Sequence, residues 1–206
     1  MPVETVATTP LREVLRGVGS GRPPPLEAFV RARRSFLAGD RVDMGALARQ
    51  VGVNRATLYR WVGSRDQLLV EVLWSLADRT FDRLLAEPPP SAPGQSRVAT
   101  VLDAWVHGVI ANRGMQAFVE NEGDLALRLL TTRATDYQAR LLGRVRALLA
   151  EDLEAERVRS DIPLDDLTYA VVRILESYVY LTLITGEQPD PDRAGRVLHA
   201  LLPLPA

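Results

Sequence analysis

Apolar residues recur along almost the whole chain at the 3- and 4-residue spacing of a helix, and no useful length shows the alternation of a strand. Leu26, Phe29, Val30, Phe36 and Leu37 share one side of a helix expected from Leu26 to Ala38, with Gly39 as its stop. Pro23-Pro24-Pro25 is expected to lie outside that helix, because proline breaks a helix interior. Residues 1–25 therefore read as an irregular arm. Leu11, Val14, Leu15 and Val18 nevertheless have helical spacing, so a short extra helix and a mobile arm both stay open. Asp43 is placed to cap a helix whose apolar positions are Met44, Leu47, Ala48 and Val51. Gly52 follows as a turn, Asn54 caps a second short helix from Arg55 to Val62, and Gly63 ends it. Ser64 and Gln67 form a capping box for a long helix from Arg65 to about Ala86, with Leu68, Leu69, Val72, Leu73, Leu76 and Leu84 inward. Its ~20 residues would span about 30 Å.

Residues 87–96, rich in proline, mark a loop before a second helical region. Arg97 to Ala111 reads as one helix. Met115–Glu122 and Asp124–Leu130 read as two shorter pieces broken at Gly123, and Ala134 to about Glu156 as a long helix. Another opens at Pro163 and Asp165 and ends at Gly186. Asp190 caps the last one, with Pro191 at its first position and Val197, Leu198, Leu201 and Leu202 as its apolar seam. The sum is an all-α fold of about nine helices without an internal repeat.

Two short helices joined by a Gly-containing turn, the second one basic, have the form that enters a DNA major groove. Near the start of that second helix, Arg55, Ala56 and, one turn on, Arg60 face base edges. Arginine can donate two bonds to a guanine, and the small Ala56 lets the helix approach closely. Thr57, Tyr59 and Arg65 are better placed for phosphate oxygens, contacts that position a protein rather than read sequence. Leu58, Trp61 and Val62 fit a core role.

The same residues carry a family likeness. Ala48, Val51-Gly52-Val53-Asn54, Ala56-Thr57-Leu58-Tyr59, Val62, Ser64-Arg65 and Leu68-Leu69 resemble the signature of the TetR family of bacterial transcriptional regulators. The pattern usually has Lys where this chain has Arg65, and an aromatic where it has Val62 after Trp61. Residues 126–133, 171–190 and 193–202 resemble the QsdR-type subgroup, which is associated with controlling degradation of lactone quorum signals. The resemblance implies operator DNA as partner, phosphate contacts by Thr57, Tyr59 and Arg65, and a homodimer through the last two helices, about 165–186 and 190–202. It also implies a division into an arm (1–25), a three-helix DNA-binding domain (26–72) and an effector-binding and dimerisation domain (73–206).

Charge changes the picture by its distribution. The net charge is -1, yet Met1–Asp66 holds 11 Arg against 6 acids and the remainder 14 Arg against 20 acids. The basic third contains the helix-turn-helix and suits phosphate contact, whereas the acidic remainder would repel nucleic acid. Every basic residue is Arg, a sign of a GC-rich genome. Without cysteine there is no disulfide framework and no thiolate metal site. His107 and His199 lack ligand spacing, so no metal and no cofactor is expected. Neither a signal pattern nor an apolar run of membrane length occurs, which predicts a cytoplasmic protein.

The helix after Pro163 carries a second signal. It is apolar on most sides, yet Tyr169, Arg173, Glu176 and Tyr180 make one polar stripe. A buried charge needs a partner, and Arg173 and Glu176, three apart, can supply each other. The stripe reads either as a satisfied interface pair or as the polar end of an effector pocket. Trp105, Phe118 and Tyr137, with Glu122 and Arg128 as polar neighbours, are further pocket candidates. A single recognition helix makes too few base contacts for tight binding, so two-fold pairing is expected. These features predict a one-component regulator that binds a palindromic operator as a dimer, acts as a repressor and is released by a small, mostly apolar effector, with a lactone among the candidates. The rival reading is a DNA-processing enzyme of resolvase or transposase type that uses the helix-turn-helix for targeting. No nucleophilic serine or acidic metal triad on a sheet supports it.

Overall fold

The structure, a computed structural model, describes residues 9–17, 24–91 and 95–205. Twelve helices and no strand occur among the described residues; one isolated bridge joins Gln95 and Pro203. In chain order they are α1 (Pro10–Leu15), α2 (Pro24–Leu37), α3 (Met44–Gln50), α4 (Arg55–Val62), α5 (Arg65–Ala86) and α6 (Arg97–Ile110). There follow α7 (Arg113–Asn121), α8 (Gly123–Thr131), α9 (Tyr137–Glu154), α10 (Leu164–Val179), α11 (Leu181–Thr185) and α12 (Pro191–Leu201).

One open alternative is settled, and two elements differ from the sequence expectation. The extra helix α1 forms, started by Thr9, whose Oγ1 accepts from the Arg12 N–H at 3.3 Å. Helix α2 begins at Pro24, with Pro25 also inside it, because the N–H groups of a first turn have no intrahelical partner and proline loses nothing there. The helix expected to reach Gly186 unbroken divides at Tyr180, which leaves helical geometry at φ -104, ψ 21. No Gly or Pro marks that break in the sequence.

Packing groups the described residues into two compact units, up to Leu76 with Arg113–Asp136, and Ala77–Asn112 with Tyr137–Ala206. The units are not continuous stretches on either side of 72/73, for α7 and α8 pack in the unit of the helix-turn-helix. Gly114 on α7 permits this, since a Cβ there would collide with the Phe36 carbonyl. Phe118 then meets Phe36 edge to face at 5.8 Å between ring centroids. In the same unit α2, α3 and α4 bury Phe29, Ala32, Phe36, Leu47, Leu58 and Val62, and α1 packs on α2 and α4. Arg12 of α1 is buried and pairs with Glu71 at 3.2 Å and with Asp136.

In the second unit α6 is central, packed against α12, α10 and α9. Leu198 and Leu202 of the expected seam are wholly buried inside the unit, while Val197 stays exposed and Leu201 half-buried. The C-terminal end is tied down by Ser96, whose hydroxyl donates to the Leu202 carbonyl at 2.5 Å. Asp152 on α9 has no exposed surface and is held by Arg97 at 2.6 Å and Arg157 at 2.7 Å. A carboxylate so enclosed depends on its partners, whereas the exposed Arg31–Glu27 pair on α2 does not. Asp152→Ala is expected to cost on the order of 3 kcal/mol in urea unfolding, and Glu27→Ala under about 0.5 kcal/mol.

Candidate functional site

The helix-turn-helix is set by its caps. Asp43 accepts the Ala46 N–H at 2.6 Å and starts α3. That backbone bond, with the charges of Arg55 and Arg49, holds the Asp43 carboxyl below its ordinary range. Gly52 turns the chain at φ 75, a left-handed conformation that costs other residues about 1–2 kcal/mol. Asn54 accepts the Thr57 N–H at 2.8 Å and starts α4. Gln67 Oε1 accepts the Ser64 N–H at 2.8 Å, and Ser64 Oγ accepts the Gln67 N–H at 3.1 Å, completing the capping box at the head of α5.

Leu58 and Val62 anchor α4 in the core. Its other side carries Arg55, Ala56, Tyr59 and Arg60, all exposed, at the i, i+1, i+4, i+5 spacing of one helix face. Tyr59, a large aromatic, is left 46% exposed by the described residues. Thr57 and Trp61 are half-buried at the edge. The Arg55 guanidinium lies over Gly45 of α3, where any Cβ would displace it. Arg65 differs from the rest. Its Nε donates to the Val42 carbonyl at 2.7 Å, and Nη1 and Nη2 donate to the two oxygens of Glu122 at 2.7 Å each.

The residues singled out as pocket candidates fall into both units. Phe118 and Glu122 belong to the first, as does Arg128, paired with Asp66 at 2.7 Å. Trp105, Tyr137, Arg173, Glu176 and Tyr180 belong to the second. Trp105 stacks on Phe81 at 5.1 Å between centroids and donates its Nε1 to the Ala77 carbonyl at 3.4 Å. Arg173 and Glu176 pair at 2.7 Å, and Gln138 of α9, unmarked in the sequence, bonds to both. Nothing along the chain points to Gln138, since its partners lie 35 and 38 residues away on another helix. Tyr169 remains exposed, with the Arg173 guanidinium 5.2 Å above its ring.

Burial pushes the Glu176 carboxyl up, against the opposing pull of Arg173 and Gln138. Burial likewise pushes up the phenols of Tyr137 and Tyr180, aided by the Glu176 charge, so both stay protonated. The result is a compact polar cluster within the second unit. Among the described residues no group of three or more His, Asp or Glu side chains is placed to hold a metal ion.

A capped helix-turn-helix with a basic, aromatic outer face, in an all-helical chain, defines a helix-turn-helix DNA-binding protein. Residues 93–203 match the family described as "Tetracyclin repressor-like, C-terminal domain", and the chain belongs to the TetR family of transcriptional regulators. The fold superposes on the transcriptional repressor QsdR of R. erythropolis, from the TetR family, with a TM-score of 0.73 at 26% identity, over 87% of this chain and 94% of that one. It also superposes on the fatty acid degradation regulator FadR from Bacillus halodurans (TM-score 0.57, 12% identity, 89% and 96% covered). A TetR transcription regulator from Haloarcula marismortui matches similarly (TM-score 0.57, 14% identity, 87% and 98% covered). These last two likenesses speak for the fold alone. Comparison with curated protein sequences yields no match.

The raised Glu176 carboxyl gives a pH dependence of defined sign. The folded chain holds this proton more tightly than the unfolded chain, so the stability it contributes is complete below the ordinary glutamate range and is lost as pH rises through the folded value. Thermal melts of the wild type should therefore fall relative to Glu176→Gln on raising the pH from below the ordinary carboxyl range to neutrality. A constant difference across that range would show the carboxyl to be unperturbed.

Proposed function

We propose that this protein is a ligand-responsive repressor that binds two-fold operator DNA as a homodimer in the cytoplasm and releases it when a small, mostly apolar molecule enters the second unit. The observation that carries the reading is the outer face of α4, where Arg55, Ala56, Tyr59 and Arg60 stand exposed on a helix started by Asn54 and closed by the Gly63 N–H on the Tyr59 carbonyl. Arg60 and Arg55 would read base edges, Ala56 would allow close approach, and Tyr59 and Thr57 would take phosphates. The repressor role follows the 26%-identical neighbour, itself a repressor.

The effector would place its polar head at the cluster of Tyr137, Gln138, Arg173, Glu176 and Tyr180 and its apolar body on the core of the second unit, to which Trp105 also belongs. A lactone, whose ring oxygens accept hydrogen bonds, suits a head met by Arg173 and Gln138 donors; that class also follows from the likeness to the QsdR-type subgroup. Helix α5, shared by both units, is the route by which such binding would reach α4. A hundredfold preference of the ligand for the DNA-free state amounts to about 2.7 kcal/mol of coupling. For the dimer, Ala170, Ile174 and Tyr178 on α10 and Val197 and Leu201 on α12 offer the surface left after the subunit core is filled.

Selection of duplexes from a random pool, followed by footprinting, tests the reading; recovery of no preferred sequence would remove it. Tyr59→Phe should weaken binding to all duplexes alike, because a phosphate contact is lost. Arg60→Ala should instead relax base preference, costing about 1–3 kcal/mol against the best site. Mobility shifts on matched and mismatched duplexes separate the two effects.

The dimer surface makes its own prediction. Val197→Glu should leave the helical melt in place and give a monomer in sedimentation, whereas Leu198→Glu should disrupt the subunit itself by driving a charge into its core. A Val197→Glu protein that stays dimeric would move the interface away from α12.

A further inference from the structure

Two neighbouring residues at the head of α5 receive the contacts of the α7–α8 segment. Arg65 takes Glu122 through two parallel bonds of 2.7 Å, and Asp66 takes Arg128 at 2.7 Å. The two pairs run in opposite sense, cation to anion and then anion to cation. Arg65 also donates Nε to the Val42 carbonyl in the loop before α3. One guanidinium therefore joins three pieces of chain: the loop entering the helix-turn-helix, the helix leaving it, and the corner between α7 and α8.

Glu122 gives up another role to do this. It stands at the N-cap position of α8, with φ -139 and ψ 41, and makes no capping bond with its side chain. Its carboxylate is turned to Arg65 instead, with Arg41 as a second cation at 3.6 Å. The side chains of Arg65 and Glu122 are 18% and 16% exposed, enough enclosure for a two-point bond to hold direction. Beside the pair lies a cleft of about 680 Å³, whose apolar wall includes Phe36, Leu69 and Phe118.

We propose that Glu122 is a positioning residue for DNA recognition: by gripping Arg65 at both terminal nitrogens it fixes the loop before α3 and the start of α5, and through them the seating of α4 in the major groove. The α7–α8 corner then governs operator affinity without touching DNA. This rests on the reading of α4 as the recognition helix. Arg65, whose bonds lie within the protein, acts as the pin of the clasp. A misplaced recognition helix loses base contacts, which need close geometry, before it loses phosphate contacts, which tolerate more. Discrimination between sequences should therefore suffer first.

The test uses the full-length chain, a duplex that the wild type enriches from a random pool, and a scrambled duplex of equal length. Binding is read by fluorescence anisotropy across a salt series, with thermal melts alongside. Glu122→Gln and Arg65→Gln are each expected to weaken binding to the enriched duplex about tenfold, and the double variant about tenfold as well, since both remove the same clasp. Affinity for the scrambled duplex, the salt slope and the melting temperature should change little, and Glu122→Asp should recover part of the loss. Should Glu122→Gln fail to fold, Asp66→Asn breaks the second, more exposed pair and carries the same expectation. The inference is overturned if Arg65→Gln weakens both duplexes and lowers the salt slope by about 0.9 while Glu122→Gln tightens binding, for Arg65 would then be a phosphate contact with Glu122 as its competitor. It is also overturned if affinity and melting temperature fall in step. A wild type that enriches no duplex overturns the DNA-binding reading itself, and this inference with it.

Discussion

A carboxylate taken out of water must be met by donors, and at four such sites among the described residues a guanidinium supplies one. Asp152 between Arg97 and Arg157, Glu122 on Arg65, Glu176 on Arg173 and Glu71 on Arg12 repeat one solution across both units. Each pair joins elements that pack side by side, or steadies one helix where it enters the core. The apolar residues supply most of the drive to fold, but they are interchangeable within a helix face. The charged pairs are directional where apolar contacts are not, and Arg65–Glu122 is so at two points.

What could be read in advance was local. Asp43, Asn54, Ser64 and Gln67 act on backbone groups three residues away, so α3, α4 and the head of α5 were legible to the residue. The exposed face of α4 followed from the same spacing. The start of α2 was misplaced because the rule that proline breaks helices does not apply to a first turn. The bend at Tyr180 had no turn residue to announce it. For the pocket candidates the limit was distance along the chain. Glu122 and Phe118 were grouped with Trp105 and Tyr137 on residue type alone, although their partners Arg65 and Phe36 lie 57 and 82 residues before them. Gln138 was invisible for the same reason. On α12 an apolar stripe was visible, but periodicity cannot divide it between a subunit's own core, which takes Leu198 and Leu202, and a surface that includes Val197.

The two polar centres differ in what they allow. The Arg65–Glu122 pair joins a carboxylate and a guanidinium through two parallel bonds, both side chains near the edge of solvent. The Glu176 centre is more enclosed, and there Gln138 accepts from Arg173 and donates to Glu176. The first is a direct two-point pair, and the second is linked through an amide that both donates and accepts.

Neither compact unit is a continuous stretch of chain. The first is complete only when Asp136 is present, and the second only when Leu202 meets Ser96 at the start of α6. On a ribosome, where a chain emerges from its N-terminus, the helices of the helix-turn-helix would appear well before α7 and α8 and wait for them. The second unit would wait until Leu202 had been made, because α6 has no partner on its α12 side until then. A truncated product that stops within α9 or α10 would thus carry a finished DNA-binding unit beside an unfinished core, and an early stop codon in that region is a different kind of lesion from a point substitution in either unit.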